Sequence, residues 1–112
     1  MADCLFCKMV AGDIKPDKVF EDENVLAFRD ISPQAPVHIL IVPKQHIATL
    51  NELDDDLLAG RLLLTAVKLA KLEGLAEDGY RTVFNCNRHG GQAVYHLHLH
   101  LLGGRQMGWP PG

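Results

Sequence analysis

No stretch of this 112-residue chain approaches the ~20 consecutive apolar residues that a membrane-spanning helix needs. There is no basic excess either. Eleven Lys and Arg stand against 14 Asp and Glu, a formal net charge of −3. That leaves no broad electrostatic footprint for a nucleic-acid polymer. The chain has no internal repeat, no low-complexity linker and no GKS/GKT phosphate loop. No basic stretch precedes an apolar one near Met1-Ala2-Asp3-Cys4, so a secretory leader is not expected. Cysteine is scarce, and three of them cannot all pair within one chain. The expectation is a cytoplasmic protein with reduced thiols and no membrane association.

What is present is ordinary for a globular protein: 47% hydrophobic and 22% charged residues. Intrinsic disorder is therefore not expected. The length suits one domain, 1–112, able to bury roughly 65% of its unfolded surface. Six histidines are the compositional oddity.

Residues 4–11 form a short apolar stretch, one or two helical turns stopped by Gly12. Val19–Glu21 and Val25–Phe28 read as strands joined by a tight Asp22-Glu23-Asn24 link. Two prolines make residues 32–36 a loop. His38–Val42 is a β-branched run ended by Pro43 and reads as a central strand. The long helix spans about Asp54 to Glu73, with Leu57, Leu58, Leu62, Leu69 and Leu72 as its apolar face. Gly74 is its expected stop. Tyr80–Asn85 is a fourth strand, Cys86–Gln92 a flexible loop, and about Val94 to Leu102 the last strand. Residues 103–112 form a tail without regular structure. The sum is an α+β domain: a five-stranded, mostly antiparallel sheet with one long and one short helix.

The chemical signal lies in Tyr95-His96-Leu97-His98-Leu99-His100-Leu101-Leu102. Alternate strand residues share a face, so the leucines can bury against the long helix while the imidazoles line the other side. Imidazole serves as acid, base, nucleophile or metal ligand near neutrality. A solvated polar face is the bland alternative, but Lys, Thr or Glu would serve there equally well. The ladder could chelate a catalytic metal, or its middle member could be a nucleophile. The neighbouring His89-Gly90-Gly91-Gln92 turn favours the second, since glycines let N–H groups gather around an anion.

The run His96 to Leu102 resembles the His-φ-His-φ-His-φ-φ signature of the histidine triad superfamily, φ being apolar. Asp30–His38, Gly90-Gly91-Gln92 and Gly103–Gly112 are similar to its Hint branch, nucleotide-binding purine nucleoside phosphoramidases. The resemblance covers nearly the whole chain. It implies hydrolysis of purine nucleoside 5′-phosphoramidates, adenosine ones preferred, with nucleotides such as AMP or GMP bound. It implies a homodimer whose two sheets join. It makes His98 the nucleophile, forming a nucleotidyl-histidine, and His100 a phosphate ligand that helps move protons. His38 would hydrogen-bond His98 and fix its tautomer, and His96 completes the triad. Asp30 would bind ribose, and Leu5, Phe6, Phe28 and Ile31 would sandwich the base, although Phe6 and Phe28 read equally as core. Asn85, Gly91, Gln92 and Ala93 would contact the sugar-phosphate together with His98 and His100. Trp109 in the tail would reach the partner's site and shape leaving-group choice. Relatives often carry Ser where this chain has Ala93, which puts the usual proton donor in doubt but not the nucleophile.

No cofactor is expected for catalysis. Cys4-x-x-Cys7 with two histidines could hold a structural zinc, or both cysteines could face the core. In some histidine triad relatives an N-terminal Cys pair binds zinc with the histidine of a Pro-x-x-His strand end and the first triad histidine. The matching positions here are His46 and His96. Cys86 and His89 are expected to be passive. The rival readings are a dinucleoside polyphosphate hydrolase, a nucleotide-sensing adaptor with incidental hydrolysis, and a metalloenzyme using the ladder directly.

Overall fold

The structure, a computed structural model, describes residues 3–112. Its centre is a five-stranded sheet in the order β1-β2-β3-β5-β4, every neighbouring pair antiparallel. The strands are β1 (Lys18–Glu21), β2 (Val25–Arg29), β3 (Val37–Pro43), β4 (Tyr80–Phe84) and β5 (Leu99–Gly103). Among the described residues, three α-helices, α1 (Leu5–Ala11), α2 (Asp56–Leu72) and the single turn α3 (Asn87–Gly90), and a 3-10 turn at Leu50–Glu52 accompany them. No helix among the described residues is long and apolar enough to cross a membrane.

Strand alternation sorts the core into two layers. Val25, Ala27, Ile39, Ile41, Leu97, Leu99 and Leu101 face α2. Leu26, Phe28, Leu40 and Val42 face the other way, against Phe6 of α1. His38 and His100 alternate with the α2-facing residues and so stand on the α1 side of the sheet. The β1–β2 hairpin is tight, as expected. The Asp22 carboxylate accepts the N–H groups of Asn24 and Val25, and the Asp22 N–H bonds the Val25 carbonyl.

Asp55 caps α2, accepting from the N–H groups of Leu57 and Leu58. The buried stripe is Leu58, Leu62, Thr65, Ala66, Leu69 and Ala70. Leu57 and Leu72, expected on it, are 82% and 71% exposed. They lie on the helix flank, where their leucine identity had disguised their angular position. Gly74, at φ 76°, follows the last turn as expected.

Two further expectations need correction. The last strand begins to pair only at Leu99, not at Val94. Pro43 closes β3 and has no N–H to continue the ladder, so residues 93–98 run on as a lead-in outside the sheet that bends at residues 94–96. Its Leu97 N–H turns to the Ile47 carbonyl instead. The Cys86–Gln92 loop is not loose: it contains α3, entered with Asn87 at φ 58° and left through Gly91 at φ 76°. The Gln92 side chain binds it in place, accepting from the Asn87 N–H and donating to the Ala48 and Val94 carbonyls.

Candidate active site

A cleft of about 470 Å³ opens between α1, the loop after it and the α1 side of the sheet. Leu5, Phe6, Phe28 and Leu40 give it an apolar body; Asp30, His98 and His100 stand at its polar end beside Ala93. Phe6 and Phe28 are both core and wall: each is 3% exposed, and their rings meet edge to face at 5.3 Å. Ile31, at the mouth, is 97% exposed, an apolar side chain with nothing against it. An elongated apolar slot ending in imidazoles and a carboxylate suits a flat aromatic group carrying a polar, anionic end.

The tautomers follow from the partners. The His98 Nδ1–H donates to the His96 carbonyl at 2.8 Å, which leaves Nε2 with its lone pair free. The Phe6 edge lies against the His98 ring, centroids 5.3 Å apart, and holds its orientation. The Gln34 N–H donates to His38 Nδ1 at 3.0 Å, so the His38 proton sits on Nε2. That Nε2–H meets His100 Nδ1 at 2.9 Å, with Asp30 Oδ2 at 3.5 Å. His100 must then carry its own proton on Nε2. This atom is buried and has no partner among the described residues. An orphaned buried donor is costly, and here it belongs to a residue lining the cleft.

This corrects one expectation. His38 does not hold His98; it holds His100. The His98 tautomer is fixed by backbone, two residues upstream on its own strand.

Burial keeps the ring of His100 neutral, with a pKa lowered from 6.5 to about 4; the nearby His98 and His38 add to this and Asp30 opposes it. His38 and His96 are lowered as well, chiefly by burial. The sign for stability follows. Between about 6.5 and 4 the unfolded chain binds a proton at His100 that the folded chain refuses. Stability is therefore lost as pH falls through that window. Calorimetry in buffers of differing ionisation enthalpy should show proton uptake on unfolding near pH ~5.5, and about one proton less for His100→Leu. An unchanged proton count would contradict this assignment.

The other expected contacts divide. Leu5, Phe6, Phe28, Asp30, Ile31, Ala93, His98 and His100 line the cleft. Asn85, Gly91, Gln92 and Trp109 do not. The Gly91 and Gln92 N–H groups bond the Arg88 and Asn87 carbonyls, so they close α3 rather than form an anion nest. Trp109 is 82% exposed on this chain, with the Arg81 guanidinium 6.0 Å above its ring.

Cys4, Cys7, His46 and His96 form a second cluster, their donor atoms all within 4.8 Å of one another. Cys4 Sγ lies 3.2 Å from His96 Nδ1, Cys7 Sγ 3.2 Å from His46 Nδ1 and 3.5 Å from His96 Nδ1, and the two Nδ1 atoms are 3.2 Å apart. Tetrahedral zinc, with Zn–S about 2.3 Å and Zn–N about 2.0 Å, separates its ligand atoms by roughly 3.3–3.8 Å. The donor set fits zinc in type, and three of its distances, at 3.2 Å, lie within about 0.1 Å of that range. His96 is also tied from behind, its Nε2–H donating to the Pro43 carbonyl at 2.8 Å, so Nδ1 presents a lone pair to the cluster.

The chain is similar to known proteins over nearly its whole length. A model of the HIT domain matches residues 11–107. The purine nucleoside phosphoramidase of Escherichia coli K12 is 52% identical over 108 residues, 95% of this chain and 91% of that one. The crystal structure of a HIT family hydrolase from Legionella pneumophila superposes with a TM-score of 0.96 at 62% identity, covering 98% of this chain and all of that one. A histidine triad protein from Clostridium difficile gives 0.92 at 42% identity, with 96% of each chain covered.

Proposed function

The chain belongs to the HIT domain family, and we propose that it hydrolyses purine nucleoside 5′-phosphoramidates, adenosine ones foremost. One observation carries this reading: His98 is the imidazole at the end of the apolar cleft whose Nε2 is left unprotonated by its partners. The identity to the E. coli purine nucleoside phosphoramidase supports the substrate class.

The purine would lie in the slot between Leu5, Phe6, Phe28 and Ile31, with Asp30 accepting from the ribose hydroxyls. Asp30 Oδ1 already accepts the Ser32 N–H, which leaves Oδ2 for the sugar. His98 Nε2 then attacks the α-phosphorus. The bond to nitrogen breaks, the amine leaves with a proton, and the nucleotide stays on His98. Water attacks the same phosphorus from the opposite side and releases the monophosphate. The His100 Nε2–H donates to a phosphoryl oxygen as charge builds on it. In relatives a Ser often stands beside the leaving group; Ala93 offers no hydroxyl there, and the neutral His100 has no proton to give up, so proton delivery to the amine falls to water. Replacing Ala93→Ser should therefore change the ranking of leaving amines.

Zinc bound by Cys4, Cys7, His46 and His96 would cross-link α1 to the segment after β3 and the lead-in before β5, a structural role. It would secure α1, which carries Leu5 and Phe6, against the sheet that carries His98. A homodimer joined through β4 completes the proposal. β4 is an edge strand, and Arg81 on it ties down the tail by donating to the Gly108 carbonyl at 2.8 Å. Trp109 would then stand where a partner's sheet begins.

The rival within the family is cleavage of dinucleoside polyphosphates. Initial rates on adenosine 5′-phosphoramidate and on diadenosine tetraphosphate, measured on one preparation, separate the two. The proposal requires kcat/KM at least about 100-fold higher for the phosphoramidate; the opposite order would replace it.

A further inference from the structure

We propose that Arg105, in the C-terminal tail and outside the cleft, is a positioning residue that sets the direction of the hydrogen bond between His38 and His100. The proposal rests on the hydrolytic reading above and adds a residue to it.

Two neutral imidazoles joined by one hydrogen bond have two arrangements. In the first, His38 donates and His100 keeps its proton on Nε2, aimed at the substrate's phosphate. In the second, His100 donates from Nδ1, and its Nε2 becomes a lone pair facing a phosphate oxygen, which is repulsive. The Gln34 N–H selects the first, because it occupies His38 Nδ1 as a donor at 3.0 Å. Asp30 Oδ2, 3.5 Å from His38 Nε2, favours the same arrangement.

Gln34 lies in a loop and needs holding. On the upstream side its Nε2 donates to the Ser32 carbonyl at 2.9 Å. On the downstream side Arg105 reaches across from the tail: Nε and Nη2 both donate to the Gln34 carbonyl, at 3.1 and 3.0 Å. The approach of tail to loop is close by construction. Gly104 has φ 92°, and a Cβ placed on it would come within 2.8 Å of Pro36. The guanidinium fork thus fixes the Gln34–Ala35 peptide and with it the adjoining Pro33–Gln34 peptide, whose N–H orients His38, and His38 orients His100. A lysine offers a charge at this place but no planar fork.

The test compares wild type, Arg105→Met and Arg105→Lys on adenosine 5′-phosphoramidate, with histidine ¹⁵N spectra of the same samples. For Arg105→Met we expect kcat lower by about three- to tenfold and KM within about twofold, since the loosened bond acts on charge developing in the transition state. Arg105→Lys should recover less than half of the loss. The His38 Nδ1 resonance should move from a clean acceptor value toward the average of two tautomers. Unchanged ¹⁵N shifts in Arg105→Met overturn the proposal, whether kcat holds or falls. A wild-type protein inert toward the phosphoramidate would remove the functional reading, while the ¹⁵N comparison would still decide the role of Arg105.

Discussion

His98→Ala is expected to lower phosphoramidate hydrolysis by at least about 10⁴-fold. The size follows from the lack of a substitute. His100 presents a proton, not a lone pair, to the cleft. His38 is engaged at both ring nitrogens. His96 turns its Nδ1 toward the thiols and its Nε2 toward Pro43. No second imidazole can take over the attack. The variant should fold, because what it vacates is a ring-sized space beside Phe6 at the edge of an open cleft. AMP affinity should stay within about tenfold, since the base slot and Asp30 are intact. A variant that kept more than about one per cent of the rate would place the nucleophile elsewhere. Retained binding with lost turnover also supplies the reagent for testing the adaptor reading, by asking whether protein partners persist without hydrolysis.

Cys7→Ser carries the second large effect, on stability. The cluster joins the first helix to residues 46 and 96, far apart in sequence. A metal that binds only the folded chain stabilises it by about 4 kcal/mol when present at 1,000 times its Kd. For a domain of this size that corresponds to a Tm lower by roughly 10–20 °C. Elemental analysis of wild type purified without chelator should find one zinc per chain, and none in Cys7→Ser. Chelator treatment should bring wild type down to the variant's Tm. Phosphoramidase activity per folded molecule should fall far less than Tm, since on this proposal the metal would hold α1 and take no part in the displacement. Metal-free wild type with an unchanged Tm would show that the two thiols and two imidazoles are packed as a hydrogen-bonded group instead.

The sequence carried much of this, unevenly. The alternation His96, His98, His100 against Leu97, Leu99, Leu101 forecast which side chains enter the core, and the three leucines are each 1% exposed or less. Cys4, Cys7, His46 and His96 were legible as a group of ligand types, and they converge. The walls of the cleft were legible in part: Phe6 and Phe28 read both as core and as binding surface, and are both. What was hidden depends on contacts across distant segments. That His38 pairs with His100 rather than His98 follows from the β3–β5 register, in which His100 stands opposite Leu40 and His38 opposite Leu102. The end of the ladder at Pro43, the Gln92 staple and the reach of Arg105 to Gln34 are likewise decided by tertiary approach. Leu57 and Leu72 misled because exposed leucine is common at a helix flank.

The central claim is a covalent bond between the nucleotide and His98 Nε2. It is tested most directly by mixing stoichiometric protein with an adenosine 5′-phosphoramidate, quenching within the first turnover, and sequencing the proteolytic fragments by mass spectrometry. The account predicts an adenylyl group on His98 that appears before free AMP, decays as AMP forms, and never appears in His98→Ala. AMP released at full rate with no adduct on His98, or with the adduct on another residue, would contradict it.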